Sequence, residues 1–371
     1  MLAVTEYVKE TGDFELLNIK QRFIEEGTEG TILEHMLAVV NYAKNNLGVH
    51  GLPIFGRGDW YDTLDYIGGD EGGESVWGGM FYAAMLNLFA ELLAHLGLTD
   101  KLEEVTAVRD QLIDAVEENC WDGEWYIRAF GGQGRKVGSH ENTYGKIFLN
   151  TQIWPVIAGF KNRERITKAM DSVKIHLDSP EGPKKCVPAW REIDPNIGLV
   201  TRCVWGKKEN GAVFCHPTTW VIQAETMLGR SNQAYDYFEK MLPNRIDSDV
   251  FVAEPYVYSQ YITSNEHSAP GRASHSWQTG SAAWMYRVSY DYILGLRPTY
   301  EGLMIDPAIP SRWDGFKAQR MFRGTRFLIE VHNPKHLEKG IPEITVDGKA
   351  IEGNIVKPNA NKVCHVKVVL N

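Results

Sequence analysis

The chain has 371 residues, of which 43% are hydrophobic, 23% charged and 11% aromatic. That composition excludes a disordered, collagen-like or disulfide-scaffold protein, and a chain this long buries enough surface to need no metal or disulfide staple. Lys plus Arg is 39 against 48 for Asp plus Glu, a net charge of −9, which argues against a nucleic-acid partner because neutralising phosphates takes a basic face.

Up to residue 297 the hydrophobic periodicity is helical. Thr31 to Asn46 places Leu33, Met36, Leu37, Val40 and Ala43 at helical spacing. Glu74 to Leu96 is apolar on most sides, which predicts a helix buried on most sides. Asp100 to Asn119 follows, with Thr99 as the expected N-cap. Asn150 to Phe160 pairs with Arg163 to Leu177, and Thr219 to Leu228 with Asn232 to Met241. Ser281 to Leu296 closes the series. Between them run long loops, at about 48–73, 121–149, 178–215 and 243–280, rich in Gly, Trp, His and charge. Loops this long in a compact domain are functional or disordered, and their aromatic content argues against disorder. Helical hairpins with elaborate loops at one end suggest a toroid with a site at its mouth. From residue 298 the pattern changes to short strands, with Asp347-Gly348 as a hairpin turn. The expected division is a helical domain over 1–297 and a small β domain over 298–371.

The cysteines, Cys120, Cys186, Cys203, Cys215 and Cys364, are scattered and form no C-x-x-C. Free thiols in a reducing compartment are the simplest account. The first residues lack the basic and apolar regions of a signal peptide. No apolar run reads as reaching the roughly 20 residues that cross a bilayer. The expectation is a cytoplasmic protein with no membrane partner.

Three segments could carry chemistry. Gly56 to Asp65 holds Asp59, Asp62 and Asp65 with Trp60 and Tyr61 in a Gly-rich loop. Aromatic faces stack on the C–H faces of sugars, and acids bind hydroxyls or donate a proton; a surface turn with capping Asp residues is the plainer reading. Lys207 to His216 offers a basic pair, Glu209, a Gly turn and His216 for hydroxyls or an anion, or simply an exposed turn before a core histidine. Glu254 to Gln260 and Arg272 to Gly280 lead into a helix start at Thr279-Gly280, either an ordinary cap or an anion site built from free N–H groups and a hydroxyl. Gly68 to Gly73 lacks the pattern of a nucleotide loop, and no His pair has zincin spacing, so neither a nucleotide nor a metal site is expected.

Taken in order, Gly58-Asp59-Trp60-Tyr61-Asp62, Gly73-Glu74-Ser75-Val76-Trp77, Lys208 to His216, Glu254 to Gln260 and Ser276 to Trp284 resemble the ordered motifs of the cellobiose and chitobiose phosphorylases, glycoside hydrolase family 94. The resemblance implies an (α/α)6 toroid followed by a jelly-roll-like β domain. The eight or so helices read here, against twelve, imply that the toroid lacks its first helices. It implies inverting phosphorolysis: a β-linked glucosyl disaccharide of cellobiose type and inorganic phosphate give α-glucose 1-phosphate and a free sugar, with no cofactor. By the motif Asp62 is the acid, its pKa raised by burial or neighbouring carboxylates. Trp60, Lys208, Glu209 and Gln260 would bind sugar, and His216, Thr279 and Gly280 the phosphate. Tyr61 stands where the family has Asn, which implies an altered acceptor pocket. The family's larger size implies a homodimer or a partner chain supplying an N-terminal half. An inverting hydrolase on the same toroid, needing a second carboxylate such as Asp65 or Glu209, and a non-catalytic sugar-binding subunit are the alternatives.

Overall fold

The helices sort by how much of their circumference is apolar. The computed structural model describes every residue except 25–26, 70–71 and 360–361. Among the described residues ten α-helices form: α1 Leu2–Thr11, α2 Ile32–Asn45, α3 Val76–His95, α4 Thr99–Asn119, α5 Leu149–Ile157, α6 Arg163–Ser172, α7 Cys215–Met227, α8 Ser231–Lys240, α9 Ser248–Phe251 and α10 Ser281–Arg287. α3, α5 and α7 are buried on most sides. Their successors bury one stripe, as Val105, Val108, Leu112 and Val116 do in α4. The outcome is three hairpins, α3–α4, α5–α6 and α7–α8, whose inner helices pack in the order α3, α5, α7, α10.

Several expectations shift at the edges. α4 begins at Thr99 rather than after it, and its cap, Leu98, makes no side-chain cap bond. α7 begins at Cys215, four residues before the expected Thr219, so His216 lies within its first turn. α6 and α10 end early and continue as π-helical turns over Val173–Leu177 and Val288–Ile293. α1 escaped the sequence reading. It links the helices to the β region: Lys9 pairs with Glu91 at 2.6 Å, Glu10 with Arg320 at 2.8 Å, and Arg323 donates to the Lys9 carbonyl at 2.6 Å. α3 also corrects the statement about apolar runs. Its 20 residues are long and apolar enough to cross a membrane, but 67% of its most apolar window is buried inside the protein. Its apolarity fills the core between the hairpins.

The long loops are laced by small sheets placed just before the inner helices. Glu74–Ser75 pairs with Ala129–Phe130, which pairs with Lys136–Val137. Ile147–Phe148 pairs with Cys186–Val187. Val213–Phe214 pairs with Ser259–Ile262, which pairs with Ala273–Ser276. Each two-residue strand fixes the direction in which its loop enters the following helix. The loops therefore converge on the N-terminal ends of α3, α5, α7 and α10.

After the helices a sheet runs in the order Gly315–Phe322, Thr325–His332, Val363–Leu370, Pro342–Val346 and Lys349–Ala350, antiparallel except for the parallel pair Thr325–His332 with Val363–Leu370. Asp347 and Gly348, with φ of 49° and 79°, turn its last hairpin as the sequence predicts. A second sheet of Leu296–Pro298, Leu303–Ile305 and Ile355–Val356 adjoins the helices. The change to β structure thus begins at Leu296, inside the strand where composition put the border.

Candidate active site

The loop before α3 holds three carboxylates whose surroundings differ completely. Asp59 is locked: Arg128, itself fully buried, donates to both oxygens at 2.6 and 2.5 Å, and the Ser75 hydroxyl adds a bond of 2.6 Å. This joins the loop to the cap of α3, because Ser75 also accepts from the Gly78 N–H at 2.8 Å. Asp65 accepts from the Leu199 N–H at 2.8 Å. Asp62, between them, is exposed and has neither a hydrogen bond nor an ion pair among the described residues. The expected burial of Asp62 is therefore not found in this structure. Asp62 lies at a turn closed by the Leu64 N–H donating to the Tyr61 carbonyl at 3.0 Å, which puts its side chain outside. Asp70 and Glu71 of the glycine-rich segment lie outside the described residues.

The chain on either side of Asp62 is held from below. Tyr61 is fully buried, and its hydroxyl donates to the Glu209 carbonyl at 2.5 Å. It is a strut under the loop, so it does not line an acceptor pocket as its replacement of Asn implied. The Thr63 hydroxyl donates to Glu209 Oε2 and the Thr63 N–H reaches the same atom at 3.3 Å. Glu209 Oε1 receives the Lys185 ammonium at 2.7 Å. Glu209, expected to face sugar, is thus 5% exposed and already engaged through both oxygens. Lys208 beside it is exposed, in the left-handed region with φ of 51°. Asn210 closes the segment by bonding Trp190 N–H and carbonyl at 2.7 and 2.9 Å and the Cys203 carbonyl at 2.8 Å. Gly211 follows at φ of 78°, where a Cβ would stand 2.8 Å from that of Ala189.

Trp60 and His216 meet. Their ring centroids are 5.3 Å apart, edge to face, and Trp60 also touches Trp220 at 4.9 Å and Phe214 at 6.0 Å. His216 lies against Trp220 at 4.9 Å and Trp284 at 5.9 Å. Its Nε2 is buried without a partner. Burial, then the positive charge of Lys185, lowers the imidazole pKa to about 4, so the ring is neutral near pH 7. Gly280, the cap of α10, closes the other side: a Cβ there would lie 3.1 Å from His216 Cε1. The Thr279 hydroxyl sits against Ser281, 2.6 Å from its hydroxyl and 3.2 Å from its N–H. Gln260 reaches the Gln278 carbonyl at 3.4 Å and leaves its own Oε1 buried without a partner. His216, Thr279, Gly280 and Gln260, drawn from separate segments, thus lie along one edge.

Sequence reasoning missed Arg128, Lys185, Thr63 and the tryptophan floor. Trp220 was within reach, because it stands one helical turn after His216 (i, i+4). Nothing in the sequence singled out Arg128 or Lys185. A cavity of about 970 Å³ lies elsewhere, under the tryptophans at Trp154 and Trp284 and between α1, α3 and α10. Its charged lining is largely self-paired, as in Lys9–Glu91 and Arg287–Glu6 at 3.1 Å. The loop end differs in holding Asp62, exposed and unpaired among the described residues.

The comparisons with known proteins agree on the family. Residues 1–295 match the glycosyl hydrolase 94 superfamily, catalytic domain. The chain is similar to a solabiose phosphorylase of Paenibacillus borealis, 38% identical over 95% of this chain and 46% of the relative. It is similar to an N,N'-diacetylchitobiose phosphorylase of Vibrio proteolyticus, 36% identical over 99% of this chain and 46% of the relative. A cellobionic acid phosphorylase of Neurospora crassa is 30% identical over 92% and 43%. The chain spans about half the length of the curated relatives it matches. Among solved structures, a family 78 rhamnosidase of Bacillus sp. GL1 shares the fold with a TM-score of 0.59 at 16% identity, covering 99% of this chain and 33% of that one. With the superfamily match running from residue 1 to 295 and relatives aligned along almost its whole length, this chain belongs to the glycosyl hydrolase 94 superfamily.

Proposed function

We propose that the chain carries the acid and phosphate side of an inverting glycoside phosphorylase. Its substrate is a β-linked glucosyl disaccharide of cellobiose type, and its products are α-glucose 1-phosphate and a free sugar. One observation carries the reading: among the described carboxylates around the loop, Asp59, Asp65 and Glu209 are engaged and Asp62 is left without a hydrogen bond or ion pair. An inverting hydrolase needs two working carboxylates, an acid and a base that activates water. A phosphorylase needs one, because phosphate is already an anionic nucleophile.

In the proposed reaction protonated Asp62 gives its proton to the glycosidic oxygen as the C1–O bond breaks. A phosphate oxygen forms the new bond to C1 from the opposite face, which inverts the anomer. The neutral His216 ring, the Thr279 hydroxyl and the Gly280 N–H hold the phosphate, and charge develops where these donors point. Trp60 offers an apolar face to the sugar, with Lys208 and Gln260 for its hydroxyls. Glu209 contributes through the lone pairs left after Lys185 and Thr63. Phosphate is the co-substrate and no cofactor is invoked. The alternation of inner and outer helices supports reading 1–297 as part of an (α/α)6 toroid, with 298–371 as a jelly-roll-like β domain. The free cysteines support a reducing, cytoplasmic setting.

The test is sugar 1-phosphate release from cellobiose, cellobionate, solabiose and N,N'-diacetylchitobiose, with and without inorganic phosphate, beside Asp62→Asn. Because the relatives are about twice as long, the assay is run on this chain alone and mixed with a chain supplying the remaining stretch. Release that requires phosphate and vanishes in the variant is expected. Sugar release at the same rate without phosphate would replace the reading with a hydrolase, and binding without turnover in either preparation with a sugar-binding subunit.

A further inference from the structure

Lys185 is fully buried, and its ammonium is paired with the Glu209 carboxylate. Its ammonium lies 3.4 Å from the ring centroid of Tyr61, 4.1 Å from Phe214 and 4.7 Å from Trp60, and 2.7 Å from Glu209 Oε1. Burying an ammonium is costly unless it is paired and caged, and here it is both. Its backbone is stitched in as well: the Lys185 N–H donates to the Ala212 carbonyl at 2.8 Å, and its carbonyl accepts from Leu149, the first residue of α5, at 2.9 Å.

The partners of this ammonium are the residues that flank Asp62. Tyr61, just before Asp62, gives its ring to the ammonium and its hydroxyl to the Glu209 carbonyl. Thr63, just after Asp62, gives its hydroxyl and N–H to Glu209 Oε2. The Asp62 backbone is therefore fixed on both sides while its carboxyl stays free. The same ammonium lies 4.7 Å from the Trp60 ring, which in turn packs at right angles to His216. One buried charge connects the acid, the aromatic platform and the phosphate histidine.

We propose that Lys185 is a positioning residue: through Glu209 and Thr63 it fixes the Asp62 turn, and through the aromatic cage it fixes Trp60 against His216. The proposal rests on the phosphorylase reading for its kinetic consequence but not for its structural one. Held geometry of this kind is worth much in catalysis, since a misplacement of about 1 Å costs on the order of 100-fold in rate. The charged and titratable groups facing Lys185 are Glu209, the Tyr61 phenol, the Cys186 thiol and the Arg128 guanidinium. Around His216 pack Trp60, Trp220, Trp284 and Gly280, and among the described residues Lys185 is the charge that acts on its ring.

Three variants test this. Thr63→Val cuts the link to Glu209 and leaves the ion pair intact. Lys185→Arg keeps the charge. Lys185→Met with Glu209→Gln removes both charges together, so that the fold is not left with an unpaired one. Thr63→Val is expected to lower kcat by about 100-fold with KM for phosphate within about twofold, and Lys185→Arg to recover part of what the double variant loses. On the full chain alone, NMR of the Trp60 indole and the His216 ring gives a readout free of turnover. Both resonances are expected to move in the double variant, and the His216 titration to move upward; Thr63→Val should leave that titration in place. A folded double variant with wild-type Trp60 and His216 signals would overturn the proposal, whatever the kinetics, as would an unchanged kcat in Thr63→Val. A wild-type protein without turnover in any preparation would sink the phosphorylase reading instead, and the two resonances would still decide for or against Lys185.

Discussion

The loop leading into α7 and the C-terminal end of α7 handle a buried carboxyl group in opposite ways. At the loop end Glu209 is matched by the Lys185 ammonium and the Thr63 hydroxyl. At the far end Glu225 is 1% exposed, both its oxygens lack a hydrogen bond, and Arg230 stops 3.9 Å short while paired with Asp171 at 2.7 Å. Burial raises the Glu225 pKa to about 7. A buried acid is reconciled with its surroundings either by pairing or by keeping its proton. The loop end pairs, and so acquires fixed geometry. The far end keeps the proton, and so acquires pH-dependent stability without chemistry. Asp291, raised by burial to about 6, also lies away from the loops, on the cavity wall. On the proposed reading, the raised carboxyls of this protein therefore serve stability and the acid is sought instead among exposed carboxylates on the pinned loop.

The largest expected effect separates chemistry from stability. Asp62→Asn should lower phosphorolysis by about a thousandfold and leave the melting temperature unchanged, because the side chain is exposed and unpaired. A large drop in melting temperature would mean that Asp62 carries structure after all. Next, Lys185→Met alone leaves Glu209 buried and unpaired, and should cost about 3–5 kcal/mol in urea unfolding. A cost below about 1 kcal/mol would erase the contrast between the two ends.

Glu225→Gln sharpens the same contrast in the other direction. The folded pKa of Glu225 is raised above its ordinary value of 4.5, so its contribution is fully present below that value and is lost as pH rises through about 7. The variant should therefore match the wild type near pH 4. It should be more stable near pH 8 by up to about 3 kcal/mol, with unchanged turnover. A variant no more stable at alkaline pH would show Glu225 to be better solvated than the structure has it. The smallest effect serves as a control in the β region. Gly348 holds φ of 79° in the turn after Asp347, and Gly348→Ala should cost about 1 kcal/mol with no change in turnover.

Much of this was legible in the sequence for identifiable reasons. The inner helix α3 announced itself by being apolar all round, and α4 by its single stripe. The strands Thr325–His332 and Val363–Leu370 alternate in burial as in hydropathy. Trp60, His216 and Gly280, quoted from three separate motifs, meet in the structure. What stayed hidden depends on long-range pairing. Asp59 and Asp62 look alike in sequence, and only Arg128, far along the chain, makes one a brace and leaves the other free. The burial and engagement of Glu209 stayed hidden because Lys185 gives no local sign of pairing with it. Tyr61 read as a pocket residue because nothing nearby says which way a loop aromatic turns. α1 was overlooked because its stabilising contacts, Glu91, Arg320 and Arg323, all lie elsewhere in the chain.

The proposed inverting phosphorolysis makes a stereochemical commitment that proton NMR can read as the reaction runs. Starting from a β-linked disaccharide with inorganic phosphate, the first product signal should be the α-anomer of the sugar 1-phosphate, absent without phosphate and absent with Asp62→Asn. A β-sugar 1-phosphate, or free sugar released equally well without phosphate, would contradict the inverting phosphorylase.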